Sequence, residues 1–170
     1  MSGGEYDQGA EHYAQALALF KQVGDRRGEA YARRGLGETA RLRGEYDQAA
    51  EHYAQALALF KQVGDRRGEA HARQGLGDLA QLRGEYDQAA EHYAQALALC
   101  NQIGDRDGEA DANTCLGETA LARGDQGQAE AYLGRAADLY EACGLTRKVA
   151  QIRRLLVQLS ADQSGPSAGG

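Results

Sequence analysis

One predicted helical face of this sequence carries charged, polar and aromatic side chains that can form ion pairs and hydrogen bonds. Residues 31, 34, 38 and 41 are spaced i, i+3, i+7 and i+10, which places them on one side of a helix, and these four positions recur forty and eighty residues later. We call this set the stripe: Tyr31, Arg34, Glu38, Arg41, His71, Gln74, Asp78, Gln81, Asp111, Thr114, Glu118 and Leu121. The two arginines of its first third can bind carboxylates in a bidentate manner. Its last third is more acidic and can meet a basic segment.

Other residues that could support catalysis or metal binding are poorly placed for either. His12, His52 and His92 occupy the same position in three successive copies. Packed helices place such copies about 10 Å apart, whereas a metal needs converging ligands, so we expect three solvated surface histidines. Gly35-Leu36-Gly37 resembles part of a dinucleotide fingerprint but follows no predicted strand. With no Ser/His/Asp or Cys/His set at a suitable spacing, we predict no enzyme, no metal site and no cofactor.

The three cysteines do not form a disulfide or metal framework. Cys100 stands where the other copies have phenylalanine, and Cys143 stands where they have valine or isoleucine. Cys115 stands where they have glycine. We therefore expect free, buried thiols that act as small apolar side chains.

Composition excludes several classes of partner. The 170 residues carry a net charge of −6, so the basic surface that nucleic acid or an anionic membrane would need is not expected. No apolar run reaches the length of about 18 residues that would indicate a membrane span. The first residues lack the pattern of a signal peptide, and we expect a cytoplasmic location.

The chain is built from an internal repeat. Glu5–Gly44 matches Glu45–Gly84 with six changes, and Glu85–Gly124 matches it more loosely. The pair Leu36-Gly37 recurs as Leu76-Gly77 and Leu116-Gly117, forty residues apart each time. A fixed period of this size indicates stacked supersecondary units, each of which buries its apolar face against a neighbour.

Each repeat predicts two helices. The first-type helix follows an N-cap at Asp25 and extends to about Arg43, before Gly44. The second-type helix extends from about Tyr46 to Val63, with apolar residues at i, i+3, i+4 and i+7. No period-two alternation is visible, so we predict an all-α solenoid of antiparallel helix pairs with about eight helices.

The repeat frame divides the whole chain. Residues 5–160 form the predicted array, between disordered ends at 1–4 and 161–170. Within the array we expect an orphan second-type helix at 5–23, repeats at 25–64, 65–104 and 105–143, and a capping first-type helix at 145–160.

Small residues are predicted at the contacts between helices. Gly37, Ala49 and Ala56 allow close approach, while larger side chains fill the space between the helices, namely those of Leu36, Tyr53 and Phe60. A larger side chain at Ala49 or Ala56 should overpack the core, at a cost of about 1–3 kcal/mol.

The repeat resembles the tetratricopeptide repeat (TPR). The resemblance covers about residues 5–160. It rests on Leu36-Gly37, Gly44, Tyr46, Ala49, Tyr53, Ala56-Leu57 and Leu59. Arg33, Ala40 and Lys61 depart from the usual pattern, and the repeat is longer than the common form of about 34 residues. In length it is similar to the TPR arrays of bacterial signalling regulators and animal scaffold proteins.

The TPR resemblance implies a right-handed superhelix in which the first-type helices line a concave groove. It places the stripe in that groove and implies a bound peptide or partner segment rather than enzyme activity. From the residue types we expect a segment of mixed charge, with its acidic part near Arg34 and Arg41. Chaperone-binding members need asparagine beside the stripe, where this chain has Gly35, Gly75 and Cys115, so their carboxylate clamp is not expected.

Differences between the two nearest copies fall mostly on the stripe. The substitutions at 31, 34, 38 and 41 are four of the six, while Gln48, Glu51 and Gln55 are unchanged. Functional diversification and neutral drift of exposed positions both account for this pattern.

Two alternatives to an interaction module remain. One is a self-assembling structural protein, in which the orphan terminal helices of neighbouring molecules join head to tail into a homo-oligomer. Val157, in place of the expected glycine, argues against close docking there. The other alternative is a designed consensus repeat protein, which the near-identity of the first copies permits.

Overall fold

The protein folds into α-helices, and the computed structural model describes residues 3–163. Within that range there are eight helices and no strand. They are α1 (Gly3–Val23), α2 (Arg26–Leu42), α3 (Tyr46–Val63), α4 (Arg66–Leu82), α5 (Tyr86–Ile103), α6 (Arg106–Ala122), α7 (Gln126–Ala142) and α8 (Thr146–Gln163). Even-numbered helices are of the first type and odd-numbered helices of the second, as the repeat predicts. The all-α, helix-pair fold and the number of helices are therefore confirmed.

The structure has helix at those residues of the two predicted disordered ends that it describes. Gly3 and Gly4 belong to α1, and α8 continues through residues 161–163. Alanine, aspartate and glutamine are compatible with a helix, and the first glycine and proline come only at 165 and 166. The rest of the predicted tails, residues 1–2 and 164–170, lies outside the described range.

Local signals in each repeat set the helix boundaries. The carboxylate of Asp25 accepts a hydrogen bond from the backbone N–H of Gly28 at 2.8 Å, as expected for an N-cap. Asp65, Asp105 and Asp125 cap α4, α6 and α7 in the same way. Gly64 ends α3 with a φ of 70°, a left-handed conformation that glycine adopts at little cost.

The helices divide into two compact units, residues 1–103 (unit 1) and 104–170 (unit 2). In unit 1, the core of the α2–α3 pair is formed by Tyr53 and Phe60 between small residues. Tyr53 is 2% exposed, and Ala49 and Ala56 are fully buried. A Cβ atom on Gly37 would lie 2.9 Å from Cδ1 of Tyr53, closer than real contacts allow. The predicted role of small residues at this contact is confirmed.

Polar contacts also join successive repeats of unit 1. Arg83 forms a 2.6 Å ion pair with Asp47, and Tyr31 donates a 3.0 Å hydrogen bond to Asp65. Each contact links one repeat to the next. The Arg83–Asp47 ion pair has an equivalent at Arg43 and Asp7, whereas the contact of Tyr31 does not recur, because the next copy has His71.

Unit 2 has the same repeat spacing as unit 1, but different residues form its core. Leu133 replaces the core tyrosine, and its Cγ atom would lie 2.7 Å from a Cβ atom on Gly117. Its buried cluster joins α6, α7 and α8 and includes Ala110, Leu133, Ala136, Ala137, Tyr140, Val149 and Ile152. The capping helix α8 therefore belongs to the same core as the repeat that precedes it.

Candidate binding surface on the first-type helices

A half-open cavity of about 240 Å³ lies between α2 and α4 of unit 1. It is the place where the stripe residues of the first two repeats converge. Its lining residues are Tyr13, Arg34, Gly35, Glu38, Tyr53, His71, Gln74, Gly75 and Asp78. Five of them belong to the predicted stripe.

The floor of the cavity consists of tyrosine rings packed on glycine backbones. A Cβ atom at Gly35 would lie 2.4 Å from the ring of Tyr13, and one at Gly75 would lie 2.5 Å from the ring of Tyr53. A side chain at either glycine would meet the ring and occupy the cavity. The glycines beside the stripe therefore make room for the tyrosine rings that line the cavity.

Glu38 is held by three hydrogen bonds. The Tyr53 hydroxyl donates to Oε2 at 2.7 Å, and Arg41 donates through Nε at 3.1 Å and Nη2 at 2.5 Å. Burial acts to raise the pKa of Glu38, but the bonds from Arg41 and Tyr53 outweigh it, and that pKa is lowered. Glu38 therefore stays ionised, and its charge is compensated by Arg41.

Asp78 carries a carboxylate with much less compensation. The Tyr93 hydroxyl donates to Oδ1 of Asp78 at 2.7 Å, and among the described residues no cation forms an ion pair with this side chain. Burial raises the pKa of Asp78, although the hydrogen bond from Tyr93 and the charge of Arg41 oppose the shift. Its position on the cavity wall leaves the second oxygen available.

Arg34 faces the same cavity from α2. Its guanidinium lies 5.5 Å from the centre of the Tyr31 ring, within range of a cation–π contact. Its Nε atom is buried without a hydrogen-bond partner. In the described part of the chain, Arg34 forms no ion pair. The charge of Arg34 helps to lower the pKa of Glu38, but Arg34 has no ion-pair partner of its own within residues 3–163.

Of the remaining stripe residues of unit 1, His71 and Gln74 line the cavity, whereas Tyr31 and Gln81 do not. Tyr31 is 37% exposed, packs edge-on against Phe60 at 4.9 Å between ring centroids, and donates to Asp65. Nδ1 of His71 lies 3.3 Å from Oε1 of Gln74. Gln81 accepts a 3.2 Å hydrogen bond from Tyr93. None of these side chains is buried between helices.

The stripe of unit 2 is more occupied by internal contacts than its sequence indicates. Asp111 accepts a 2.5 Å hydrogen bond from Tyr140 and forms a 2.7 Å ion pair with Lys148. Thr114 donates to the carbonyl of Ala110 at 2.9 Å. Glu118 is exposed. Because Lys148 of α8 approaches Asp111, this part of the surface is less acidic than expected.

Leu121 differs most from its predicted place. It is half-buried and packs against the hydrophobic cluster of unit 2. An apolar side chain at this position gains more from the core than from solvent, so it is a core contact.

The sequence interpretation missed several residues of this surface. Tyr53 was assigned to the core alone, yet its ring and hydroxyl form part of the cavity, and Tyr13 was not assigned to it. Their common position in the repeat, forty residues apart, is the signal that could have found them. Lys148 could not be found in this way, because the other copies have glycine at its position.

Two of the three histidines are not solvated as expected. His12 is exposed, but His52 and His92 are half-buried, and their Nδ1 atoms lack a hydrogen-bond partner. Burial lowers the pKa of both, and the nearby charges of Arg33 and Arg73 lower it further. The prediction was wrong for these two because it treated the second-type helix surface as uniformly open to water.

No disulfide joins the cysteines in the described part of the chain, as expected, but only one of them is fully buried. Cys100 is buried, whereas Cys115 and Cys143 are half-buried. A hydrogen bond with Asp107, together with burial, raises the pKa of Cys143. Within residues 3–163 no group of three or more His, Cys, Asp or Glu side chains converges as metal ligands would.

None of the helices described has the length and apolar character needed to cross a membrane.

Comparison with known proteins identifies the repeat. A family model described as the MalT-like TPR region matches residues 1–165. No curated protein sequence matches the chain significantly.

Three solved structures share the fold at low sequence identity. BtubC (BKLC) from P. vanneervenii has a TM-score of 0.72 at 17% identity, over 98% of this chain and 78% of that chain. A putative kinesin light chain of Podosopora anserina with nearly identical TPR-like repeats has a TM-score of 0.63 at 14% identity, over 96% and 90%. A Rap protein complexed with competence and sporulation factor has a TM-score of 0.61 at 18% identity, over 93% and 48%. At these identities, the likeness shows a TPR-like helical repeat.

Proposed function

Because the chain belongs to the MalT-like TPR family, we propose that it is a protein-interaction module that binds a peptide or partner segment along its first-type helices. TPR-like repeats commonly serve as interaction modules and are generally not catalytic. The observation that carries the proposal is the cavity between α2 and α4, where five stripe residues from two repeats converge. A signalling or regulatory scaffold is the setting that this activity fits.

The solved Rap structure supports this function at the level of the fold. That protein, of whose chain 48% is covered, is complexed with competence and sporulation factor, so a protein that contains a similar helical repeat has a bound factor. The stripe residues that are not core contacts supply the specificity in our proposal: Tyr31, Arg34, Glu38, Arg41, His71, Gln74, Asp78 and Gln81 in unit 1, and Asp111, Thr114 and Glu118 in unit 2.

The bound segment is of mixed charge in this proposal. Arg34 forms no ion pair with the described residues, whereas Arg41 is already paired with Glu38 at 2.5 Å. The acidic part of the segment is therefore placed at Arg34 alone rather than at both arginines. The carboxylate of Asp78 favours a basic group nearby.

Photo-crosslinking tests the location of the site. A displayed library of short random peptides is selected on the full chain, and a photoreactive residue is then placed at Gln74 on α4 or, as a control, at the exposed Gln48 on α3. We expect a selected peptide to crosslink at position 74 and not at 48. Crosslinking at position 48 alone, or a library that yields no binder, contradicts the proposed function.

Self-association is a second candidate, favoured by the surface of α1. Tyr13 is 42% exposed and Leu19 is 62% exposed, whereas the equivalent Tyr53 is 2% exposed. Val157 of α8 is also 66% exposed. Light scattering at increasing protein concentration distinguishes this candidate, because a molar mass that stays at the monomer value eliminates it.

A further inference from the structure

The cavity of unit 1 contains two opposite charges that are not paired with each other. Arg34 projects from α2 and Asp78 from α4, and both line the same space. No hydrogen bond or ion pair joins them in the described structure. The neighbouring charges, Glu38 and Arg41, do pair, through hydrogen bonds of 3.1 and 2.5 Å. The cavity therefore has one cation and one anion left for a ligand.

Both charged groups are held in place by contacts that are not ion pairs, although Glu38 lies near Arg34 and Arg41 lies near Asp78. The guanidinium of Arg34 lies over the Tyr31 ring at 5.5 Å, and its Nε atom is buried without a partner. The carboxylate of Asp78 is oriented by the Tyr93 hydroxyl at 2.7 Å. A charged group that is already oriented loses little side-chain entropy when a counter-charge arrives.

The repeat register fixes how the two charges are separated. Asp78 corresponds to position 38 of the first repeat, so it lies one helical turn beyond the level of Arg34. One turn of four residues is about 6 Å along a helix, and neighbouring packed helices lie about 8–10 Å apart. The two charges are thus offset both along and across the helix pair.

We propose that this cavity takes an acidic and a basic side chain from one bound segment, the acidic group against Arg34 and the basic group against Asp78. In an extended segment, residues i and i+2 point to the same side about 7 Å apart. Flexible side chains cover the remaining separation. The preferred sequence is therefore an acidic residue and a basic residue separated by one residue. This inference rests on the proposed function and names the chemistry that its site selects.

A protein–peptide mutant cycle tests the pairing. A peptide selected from the random library is titrated against the full chain and against Arg34→Gln and Asp78→Asn. Each substitution removes one charge and keeps a side chain of similar size. In Asp78→Asn, the amide oxygen can still accept the hydrogen bond from Tyr93.

Lys61→Gln and Glu85→Gln are matched controls for the cycle, because each removes one charge from an exposed position of unit 1. We expect each cavity variant to weaken binding about fivefold, the loss of one partly exposed charged contact. Each control should leave the affinity unchanged.

Neutral substitutions in the peptide identify which charge of the peptide contacts which residue of the cavity. Neutralising the acidic residue of the peptide should have little further effect in Arg34→Gln but its full effect in Asp78→Asn. Neutralising the basic residue should show the reverse.

Three results are decisive. Coupling in this pattern supports the inference. Selected peptides that crosslink at position 74 yet show no coupling to Arg34 or Asp78 overturn the inference and leave the proposed function standing. A library without any binder overturns both.

Discussion

The hydroxyl of Tyr53 donates a 2.7 Å hydrogen bond to Oε2 of Glu38. A core residue of the second-type helix thereby orients a stripe residue of the first-type helix. The ring of Tyr53 is 2% exposed and lies against both Gly37 and Gly75. Packing between repeats and the charge pattern on the candidate binding surface are therefore coupled through one side chain.

Removing the Tyr53 hydroxyl should destabilise the protein measurably. Tyr53→Phe leaves the ring in place but removes the bond to an ionised carboxylate, and we expect a loss of about 1–2 kcal/mol. Tyr13→Phe is the matched control, because its hydroxyl forms no hydrogen bond with the described residues and should change stability little. Urea denaturation of both variants provides the measurement, and equal losses contradict the role assigned to the Tyr53–Glu38 bond.

The two glycines beside the stripe should respond differently to alanine. In Gly75→Ala the new Cβ atom meets the buried ring of Tyr53 at 2.5 Å, and overpacking should cost about 1–3 kcal/mol. In Gly35→Ala it meets the ring of Tyr13, which is 42% exposed and can turn outward. The gain in helix propensity, about 1 kcal/mol, should then offset most of the loss. Denaturation that ranks Gly35→Ala below Gly75→Ala refutes this account of the cavity floor.

Asp65 should contribute more to stability than its counterpart Asp25. Asp25 caps α2 alone, so Asp25→Ala should cost about 1 kcal/mol. Asp65 caps α4 and also accepts a hydrogen bond from Tyr31 at 3.0 Å, so Asp65→Ala should cost about 2–3 kcal/mol. The ion pair with Arg27 adds little, because Arg27 is largely exposed. Thermal or urea unfolding tests the order, and similar losses would show that the Tyr31 contact contributes nothing.

Stability should fall on mild acidification because of His52 and His92. Burial lowers the pKa of both in the folded protein, so the unfolded chain binds more protons near its ordinary histidine pKa of about 6.5. The stability that depends on neutral imidazoles is fully present above about pH 6.5. It is lost as the pH falls from about 6.5 toward the lower pKa of the folded protein.

The double variant His52→Gln/His92→Gln should therefore show a flatter dependence of unfolding free energy between about pH 7 and 5.5. His12→Gln is the control, since His12 is exposed and its variant should keep the slope of the parent protein. Parallel curves for the parent and the double variant would contradict the effect of burial.

Much of the fold follows from local signals that the repeat presents several times. Asp25 and Asp65 mark helix starts, Gly44 and Gly64 mark helix ends, and all four behave as predicted. The small residues beside Tyr53 indicated close packing of helices, and the structure confirms it. Signals of this kind depend on a few neighbouring residues, so they can be interpreted without knowledge of the tertiary structure.

Which charged residues of the stripe form ion pairs could not be predicted in the same way. The positions of Arg34 and Arg41 gave no sign that Arg41 is paired with Glu38 while Arg34 is not. Leu121 was predicted to face a ligand and packs on the core instead. Each outcome depends on which side chains another helix brings close, and a helical periodicity does not contain that information.

Amide chemical shifts, measured while a library-selected peptide is titrated into the full chain, test the central claim most directly. The account predicts that the largest shifts fall in residues 31–41 of α2 and 71–81 of α4, around Arg34 and Asp78. Largest shifts on the exposed side of α3 and α5, around Gln48, Glu51 and Gln88, would place the partner on the second-type helices and contradict it.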